Sequence, residues 1–225
     1  MTETSIRLTA VDDHPVVVEG IGAILARMAP DIEWLGAACS WNSLQQLLAS
    51  FAAPPDVVLF DLHLHDGSQP TDGIAWLAAR GIRSVVLTSE VRPIPIREAV
   101  MAGASGVILK SDPQRRMVEV IRSAAGGDFA VSGDLAYVLV TDDSMVPRLA
   151  PRELEALKLL ASGLPRKTIG RRMTPPVQMS TVVTYFNRIC EKYRELGRDV
   201  QTPQEALRAA SADGYLDTPE PERDL

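Results

Sequence analysis

The chain predicts an α/β fold, an open sheet of buried parallel strands, followed by a smaller all-helical domain. Three observations lead there. Short, nearly continuous apolar runs recur through the first half, the pattern of strands covered on both faces. Beyond Pro151 the apolar spacing lengthens to a helical period. The charge also changes sign: residues 1–130 carry 10 Lys and Arg against 15 Asp and Glu, whereas residues 148–200 carry 11 against 5.

The strands are legible by what closes them. Ile6 to Val11 ends in Asp12-Asp13, and Asp56-Val57-Val58-Leu59-Phe60 ends in Asp61 between Pro54-Pro55 and Asp66-Gly67. Ser84 to Leu87 ends in Thr88-Ser89, and Gly106 to Leu109 ends in Lys110. Ligands of an open α/β sheet bind outside the carboxyl ends of its strands. Four strands thus bring three carboxylates, a hydroxyl and an ammonium to one edge. An aspartate can attack a phosphoryl group and hold it as an acyl phosphate. Mg²⁺ neutralises such a group through one or two carboxylates, phosphate and water. On this reading Asp61 is the nucleophile, Asp12 and Asp13 the metal seat, Lys110 the balancing cation, and Thr88 a hydrogen-bond partner for a phosphate oxygen.

The blocks Val11-Asp12-Asp13-His14-Pro15, Val58-Leu59-Phe60-Asp61-Leu62, Val85-Val86-Leu87-Thr88-Ser89 and Gly103-Ala104-Ser105-Gly106-Val107-Ile108-Leu109-Lys110 together resemble a response-regulator receiver domain, in order, over about 130 residues. The resemblance implies a doubly wound, five-stranded parallel sheet. It also implies phosphorylation on Asp61 by a sensor histidine kinase, and Mg²⁺ held by Asp12, Asp13, Asp61 and the His63 backbone carbonyl.

Length and composition suit two small cores: 225 residues, 46% of them apolar. Cys39 and Cys190 fall in different domains with no sign of a disulfide, as in cytosolic chains. Met1 to Thr9 lacks a basic start followed by an apolar stretch, and no apolar run approaches membrane-spanning length, so a cytoplasmic protein without a membrane partner is expected. The whole-chain charge of −6 hides a net +6 over residues 148–200, the footprint of a nucleic-acid-binding domain.

Thr141-Asp142-Asp143-Ser144 reads as linker, within an expected linker of 131–147. From Pro151 a helix opens with Glu153 and Glu155 at its positive end and Leu154, Leu157 and Leu160 as an apolar stripe; Ser162-Gly163 ends it. A short helix follows over Thr168 to Met173, with Ile169 and Met173 inward. Thr174-Pro175-Pro176 turns into a third helix from about Ser180 to Arg194. Thr202-Pro203-Gln204-Glu205 is a capping box that opens a fourth helix to about Ala212. A short helix, a turn and a longer helix in basic surroundings form a helix-turn-helix. Asp217 to Leu225, with two prolines and four acids, is expected to be a disordered tail.

Leu149 to Gly163, Lys167 to Met173 and Ser180 to Ile189 are similar to the LuxR-type helix-turn-helix of NarL/FixJ response regulators, and Arg188 to Arg198 to an actinobacterial variant. The implied organisation is a receiver domain at 1–130, the linker, a four-helix DNA-binding domain at 148–216 and the tail. The third helix would lie in the major groove. Thr181, Thr184, Tyr185 or Asn187 would read bases, and Arg171, Arg172, Arg188 and Lys192 would touch phosphates. Lys167, Thr168 and Ser180 complete the expected DNA-facing set. Ala206, Leu207 and Ala210 are open to two readings, a dimer face or the domain's own core.

Departures from the family sharpen these expectations. Val183 stands where the family has a DNA-facing lysine, and Pro175-Pro176 lengthens the preceding turn. Val107 stands where many receivers carry a switching aromatic, and His65 replaces a frequent proline. His63 is close enough to Asp61 to influence water attack on an acyl phosphate. His14, His63 and His65 with Asp12 or Asp13 could also form a transition-metal site. The expected function is a transcription factor that is not an enzyme beyond slow autodephosphorylation. Phosphorylation would control homodimerisation and binding to double-stranded DNA at an inverted repeat. Two alternatives stand beside it: a phosphorylation-independent regulator whose receiver docks a ligand or partner, and a phosphatase using Asp61.

Overall fold

The structure, a computed structural model, describes residues 5–133 and 146–216. Residues 134–145 of the expected linker and all of the expected tail, 217–225, lie outside the described residues. The chain divides into two compact units.

The first unit alternates strand and helix: β1 (Ile6–Val11), α1 (Pro15–Met28), β2 (Ile32–Ala38), α2 (Trp41–Ser50), β3 (Val57–Phe60), α3 (Pro70–Ala78), β4 (Arg83–Thr88), α4 (Pro93–Met101), β5 (Gly106–Leu109), α5 (Gln114–Gly126) and β6 (Ala130–Val131). All neighbouring strands pair in parallel, in the order β2-β1-β3-β4-β5-β6. The sheet has six strands among the described residues, one more than expected, because a two-residue β6 pairs with Gly106 and Val107 at its edge.

Every residue of β3 is buried. Alternate side chains of the strands, Leu8, Ala10, Val57, Leu59, Val85, Leu87 and Ile108, pack with Ile21 and Leu25 of α1 and Met117, Val118 and Ile121 of α5. The opposite face carries Phe60, against which α3 packs so closely that a Cβ on Gly73 would sit 2.8 Å from its ring. Helices therefore cover both faces, and the apolar continuity of the strands follows. The chain leaves β1 outward to β2 and returns on the other side to β3. This places the topological switch, and the ligand crevice, at the carboxyl ends of β1 and β3.

The second unit is helical: α6 (Pro151–Ala161), α7 (Arg166–Arg172), α8 (Met179–Glu195) and α9 (Pro203–Asp213). Proline at the first position and Glu153, whose carboxylate accepts the Ala150 N–H at 2.8 Å, start α6. The stripe on α6 passes through Ala156, Leu157 and Leu160, with Leu154 only half-buried. On α8, Val182, Phe186, Ile189, Cys190 and Tyr193 are buried at helical spacing. Thr202 and Glu205 form the expected capping box of α9, and Gly214 in the left-handed region ends it. Of the two readings open for Ala206, Leu207 and Ala210, the structure takes the core: both alanines are fully buried there and Leu207 packs against it.

The turn between α7 and α8 is held from two sides. Val177 N–H donates to the Gly170 carbonyl at 2.8 Å, so close that a Cβ on Gly170 would collide with the Val177 carbonyl oxygen. From α6, Arg152 donates to the Thr174 and Pro175 carbonyls, at 2.5 and 2.9 Å, while Glu155 accepts the Thr174 N–H at 2.7 Å. That hydrogen bond from the Thr174 amide comes first among the causes that keep the Glu155 carboxyl below the ordinary glutamate range.

Candidate functional site

The carboxyl ends of β1 and β3 are zipped together at the backbone: Asp61 N–H donates to the Val11 carbonyl at 3.0 Å, just as Asp12 N–H donates to Ala38 at 3.1 Å. Asp12 and Asp61 are therefore adjacent at the switch point, each only 2% exposed. Lys110, whose N–H donates to the Thr88 carbonyl at 2.8 Å, sends its ammonium between them. Its Nζ lies 2.7 Å from Asp12 Oδ2 and 2.8 Å from Asp61 Oδ2. Asp13, more open, lies between two imidazoles: His65 Nδ1 is 2.6 Å from its Oδ2 and His14 Nδ1 is 2.8 Å from its Oδ1.

Oxygen lone pairs remain over. Buried Asp12 Oδ2, Asp13 Oδ1 and Asp61 Oδ1 have no hydrogen-bond partner among the described residues; the contacts of the first with Lys110 and of the second with His14 are close approaches without hydrogen-bond alignment. One donor atom from each of Asp12, Asp13, His14 and Asp61 falls within 4.8 Å of the others. Unpartnered buried carboxylate oxygens are costly unless something cationic meets them. This donor set fits a hard divalent cation, which prefers oxygen.

Electrostatics follow from burial. Desolvation pushes the Asp61 carboxyl above the ordinary aspartate range, against the hydrogen bond and charge of Lys110. Burial also works against the Lys110 ammonium, but the Asp12 and Asp61 carboxylates paired with it outweigh that and raise its pKa. The ammonium stays charged at neutral pH.

Sequence reasoning placed Asp12, Asp13, Asp61 and Lys110 together, and the structure brings all four to one pocket. Thr88 is fully buried at the end of the adjacent strand, where its hydroxyl accepts the Glu90 N–H at 3.0 Å. The His63 imidazole turns toward Glu90, with Nε2 3.4 Å from the carboxylate. The three histidines therefore divide, two on Asp13 and one on Glu90. Glu90 was missed: its 7% exposure is invisible in a polar loop two residues past a strand.

In the second unit the expected DNA-facing residues are spread over α7 and α8. Lys167, Arg171 and Arg172 are exposed on α7, and Ser180, Thr184, Asn187 and Arg188 are exposed along α8. Thr168, Thr181 and Tyr185 are half-buried, and Tyr185 packs against the core. Thr184 donates its hydroxyl to the Ser180 carbonyl at 3.1 Å, which leaves its oxygen as an acceptor. Lys192 is a correction. Its ammonium is engaged within the domain, 2.6 Å from buried Glu153 and 2.8 Å from the Arg148 carbonyl, so its charge is not free as the sequence reading assumed.

The raised Asp61 pKa makes a stability statement. The folded chain holds more protons than the unfolded chain between the ordinary value and the raised one, so this group's contribution falls as pH rises through that window. Asp61→Asn removes the ionised group and leaves Lys110 paired with Asp12. In metal-free buffer at neutral pH it is expected to stabilise the fold and raise Tm, with the gain shrinking as pH is lowered through that window. A thermal melt showing a lower Tm for Asp61→Asn contradicts this.

No family model matches the chain. Among curated proteins it is similar to the nitrate/nitrite response regulator protein NarL of Escherichia coli K12, 30% identical over 194 residues, covering 82% of this chain and 87% of that one. It is equally similar to the transcriptional regulatory protein LiaR of Bacillus subtilis, 30% identical over 196 residues, covering 83% and 90%. Among solved structures, RcsB of Salmonella enterica serovar Typhimurium bound to the rprA promoter shares the fold at 19% identity and a TM-score of 0.66, covering 92% of this chain and 99% of that one. The response regulator ChrA of a heme-sensing two-component system matches at 27% identity and a TM-score of 0.52, covering 95% and 100%. With 30% identity over most of both chains, this chain belongs to the NarL/LuxR-type family of response regulators.

Proposed function

We propose that the protein is a DNA-binding transcriptional response regulator of a two-component system, a cytoplasmic protein phosphorylated on Asp61 by a sensor histidine kinase. The observation that carries this reading is the division of labour on Asp61: Oδ2 is fixed by Lys110 at 2.8 Å, while buried Oδ1 has no aligned hydrogen-bond partner among the described residues. A carboxylate held by one oxygen presents the other as a nucleophile. That oxygen forms a bond to phosphorus, the bond from phosphorus to the donor breaks, and the donor leaves with the electron pair. Lys110 balances the added charge as a point cation, and the Thr88 hydroxyl turns from the Glu90 N–H to a phosphate oxygen. Asp12, Asp13 and Asp61, with the His63 carbonyl, would hold Mg²⁺, whose chemistry when bound is to neutralise the phosphoryl oxygens. His63, two residues past Asp61 and drawn aside by Glu90, bears on how fast water removes the phosphate, and we assign the protein at most slow autodephosphorylation.

The organisation proposed is a receiver domain at 1–130 and a helix-turn-helix domain at 148–216, with 131–147 joining them. α8 enters the major groove, Asn187 and Thr184 face base edges, and Arg171, Arg172 and Arg188 meet phosphates. RcsB structures carry DNA, and one holds two RcsB dimers on two parallel DNAs. Carried over to this chain, this supports a phosphorylation-promoted homodimer on an inverted repeat, with half-sites roughly 10 bp apart or a multiple of that. A second reading rests on Val107, fully buried where a switching aromatic would stand: the receiver then regulates by docking a ligand or partner, without phosphate.

Incubation with Mg²⁺ and acetyl phosphate is expected to add one phosphate to the intact mass and to shift the protein toward a dimer, with both effects lost in Asp61→Asn. No mass gain contradicts the first reading and leaves the second. For the DNA-binding unit, Arg171→Ala with Arg172→Ala is expected to lower the slope of log affinity against log salt by about 2 on a labelled duplex, one per phosphate contact. An unchanged slope in fluorescence anisotropy contradicts the phosphate assignment.

A further inference from the structure

The outward face of α8 carries no cation over its first two turns. From Met179 to Asn187 there is no Lys, Arg or His, and the first cation of the helix is Arg188. Exposed on that stretch are Met179, Ser180, Thr184 and Asn187, with Val183 half-buried beside them. Met179 is the one large apolar side chain of the second unit left exposed among the described residues, at 40%. Tyr185 packs against the domain's core, whereas Val183 is not among the described residues packed there. Met179, Val183 and Asn187 stand four residues apart and so form one row along the helix surface. An apolar row outside the core that ends on an amide suits a ligand surface offering a methyl group beside a paired donor and acceptor.

In the major groove only A·T pairs offer that combination: thymine carries a C5-methyl group, and adenine pairs an N7 acceptor with an N6 donor. Guanine presents acceptors alone, N7 and O6, and is met by the donors of Arg or Lys. The polar neighbours agree. Thr184 donates its hydroxyl proton to the Ser180 carbonyl at 3.1 Å, so its oxygen can only accept, as from adenine N6 or cytosine N4. The cations stand to the sides of the row, Arg171 and Arg172 exposed on α7 and Arg188 past its end. There they meet phosphates, which fixes position without reading sequence. Arg152 and Glu155 pin the turn that leads into α8, so the domain itself sets where the row lies.

We propose that each half-site read by this chain is built on A·T pairs. Asn187 takes adenine through N6 and N7, Val183, extended by Met179, meets a thymine methyl, and the first two turns of α8 read no guanine. This rests on α8 being the helix in the major groove and names what that helix reads. Four residues of helix rise about 6 Å, and base pairs stack about 3.4 Å apart. The thymine therefore lies one or two base pairs from the adenine.

The test is selection of bound duplexes from a random-sequence pool by the full chain, treated with Mg²⁺ and acetyl phosphate, followed by anisotropy on the enriched duplex. Adjacent A·T pairs in each half-site are the expected result. Replacing these thymines in turn by uracil, which lacks only the methyl, is expected to weaken the wild type roughly fourfold at one of them, as for one buried methyl, and Val183→Ala by a smaller factor. Asn187→Ala is expected to lose about tenfold and to bind all four bases alike at the adenine position. Val183→Lys restores a donor and is expected to select guanine where the wild type selects that thymine. The uracil duplex changes the DNA alone, so that comparison stands even where a variant gives no native thermal melt. Enrichment of G·C pairs in the half-site, or uracil tolerated at every thymine, overturns the proposal. Salt-dependent binding without any enriched sequence overturns it as well and leaves the DNA-binding reading intact, whereas no binding to any duplex at low salt removes both.

Discussion

One ammonium stands between two buried carboxylates, and the first unit is organised around it. Lys110 Nζ reaches Asp12 and Asp61 at 2.7 and 2.8 Å, at the end of a strand that neither of them occupies. Three negative charges gathered by the sheet, Asp12, Asp13 and Asp61, meet a single cation there. Removing charges from water costs several kcal/mol per ion, and pairing recovers that only when geometry is good and the remaining lone pairs are met. Here some are not, and desolvation by burial drives Asp61 above the ordinary carboxylate range. The pocket is therefore held by the sheet at some cost in stability, and it is poised to gain from a divalent cation or a phosphoryl group. Strand order makes this possible: only at the β1/β3 switch do two neighbouring strands open their carboxyl ends between helices on opposite faces.

The second unit solves a related problem differently. Its buried charges are fully partnered. Glu153 accepts the Ala150 N–H and pairs with Lys192, while Asp213 accepts from Tyr193 at 2.8 Å and from Arg198 at 2.7 Å. Burial, together with the Asp213 carboxylate, pushes the Tyr193 hydroxyl far above its ordinary range, so it remains a donor. These pairs tie α6 and α9 to α8 and leave the exposed face of α8 to Ser180, Thr184, Asn187 and Arg188. One unit stores unmet polarity for a ligand; the other spends its polarity on rigidity, as a reading helix requires.

Much of this was legible in the sequence, for physical reasons. A buried parallel strand is a short apolar run, and the polar residue that ends it is necessarily near the crevice, so Asp12, Asp61, Thr88 and Lys110 could be placed by inspection. β2 was not legible from its residues, because an edge strand carrying Glu33 and a left-handed Gly36 breaks the apolar run, and β6 is too short to leave a pattern. Side-chain direction was the harder limit. Lys192 stands four residues past Arg188 on a basic helix and looks like another phosphate contact. Its partner Glu153 lies 39 residues earlier, and period alone does not reveal that pairing. The histidines were recognisable as a group, but their division between Asp13 and Glu90 rests on contacts between residues far apart in the sequence. The face of α9 was undecided by composition, since small apolar residues suit a core and an interface equally.

The central claim is that the unpartnered oxygen of Asp61 is the atom that takes up phosphate. Its most direct test is chemical location of the acyl phosphate: react the full chain with a phosphodonor and Mg²⁺, reduce with borohydride, digest, and sequence the peptides by mass spectrometry. Reduction converts an aspartyl phosphate to homoserine with release of phosphate. Homoserine at position 61 alone is the predicted result. Homoserine at position 12 or 13, or none at all from a folded, metal-loaded protein, contradicts the account.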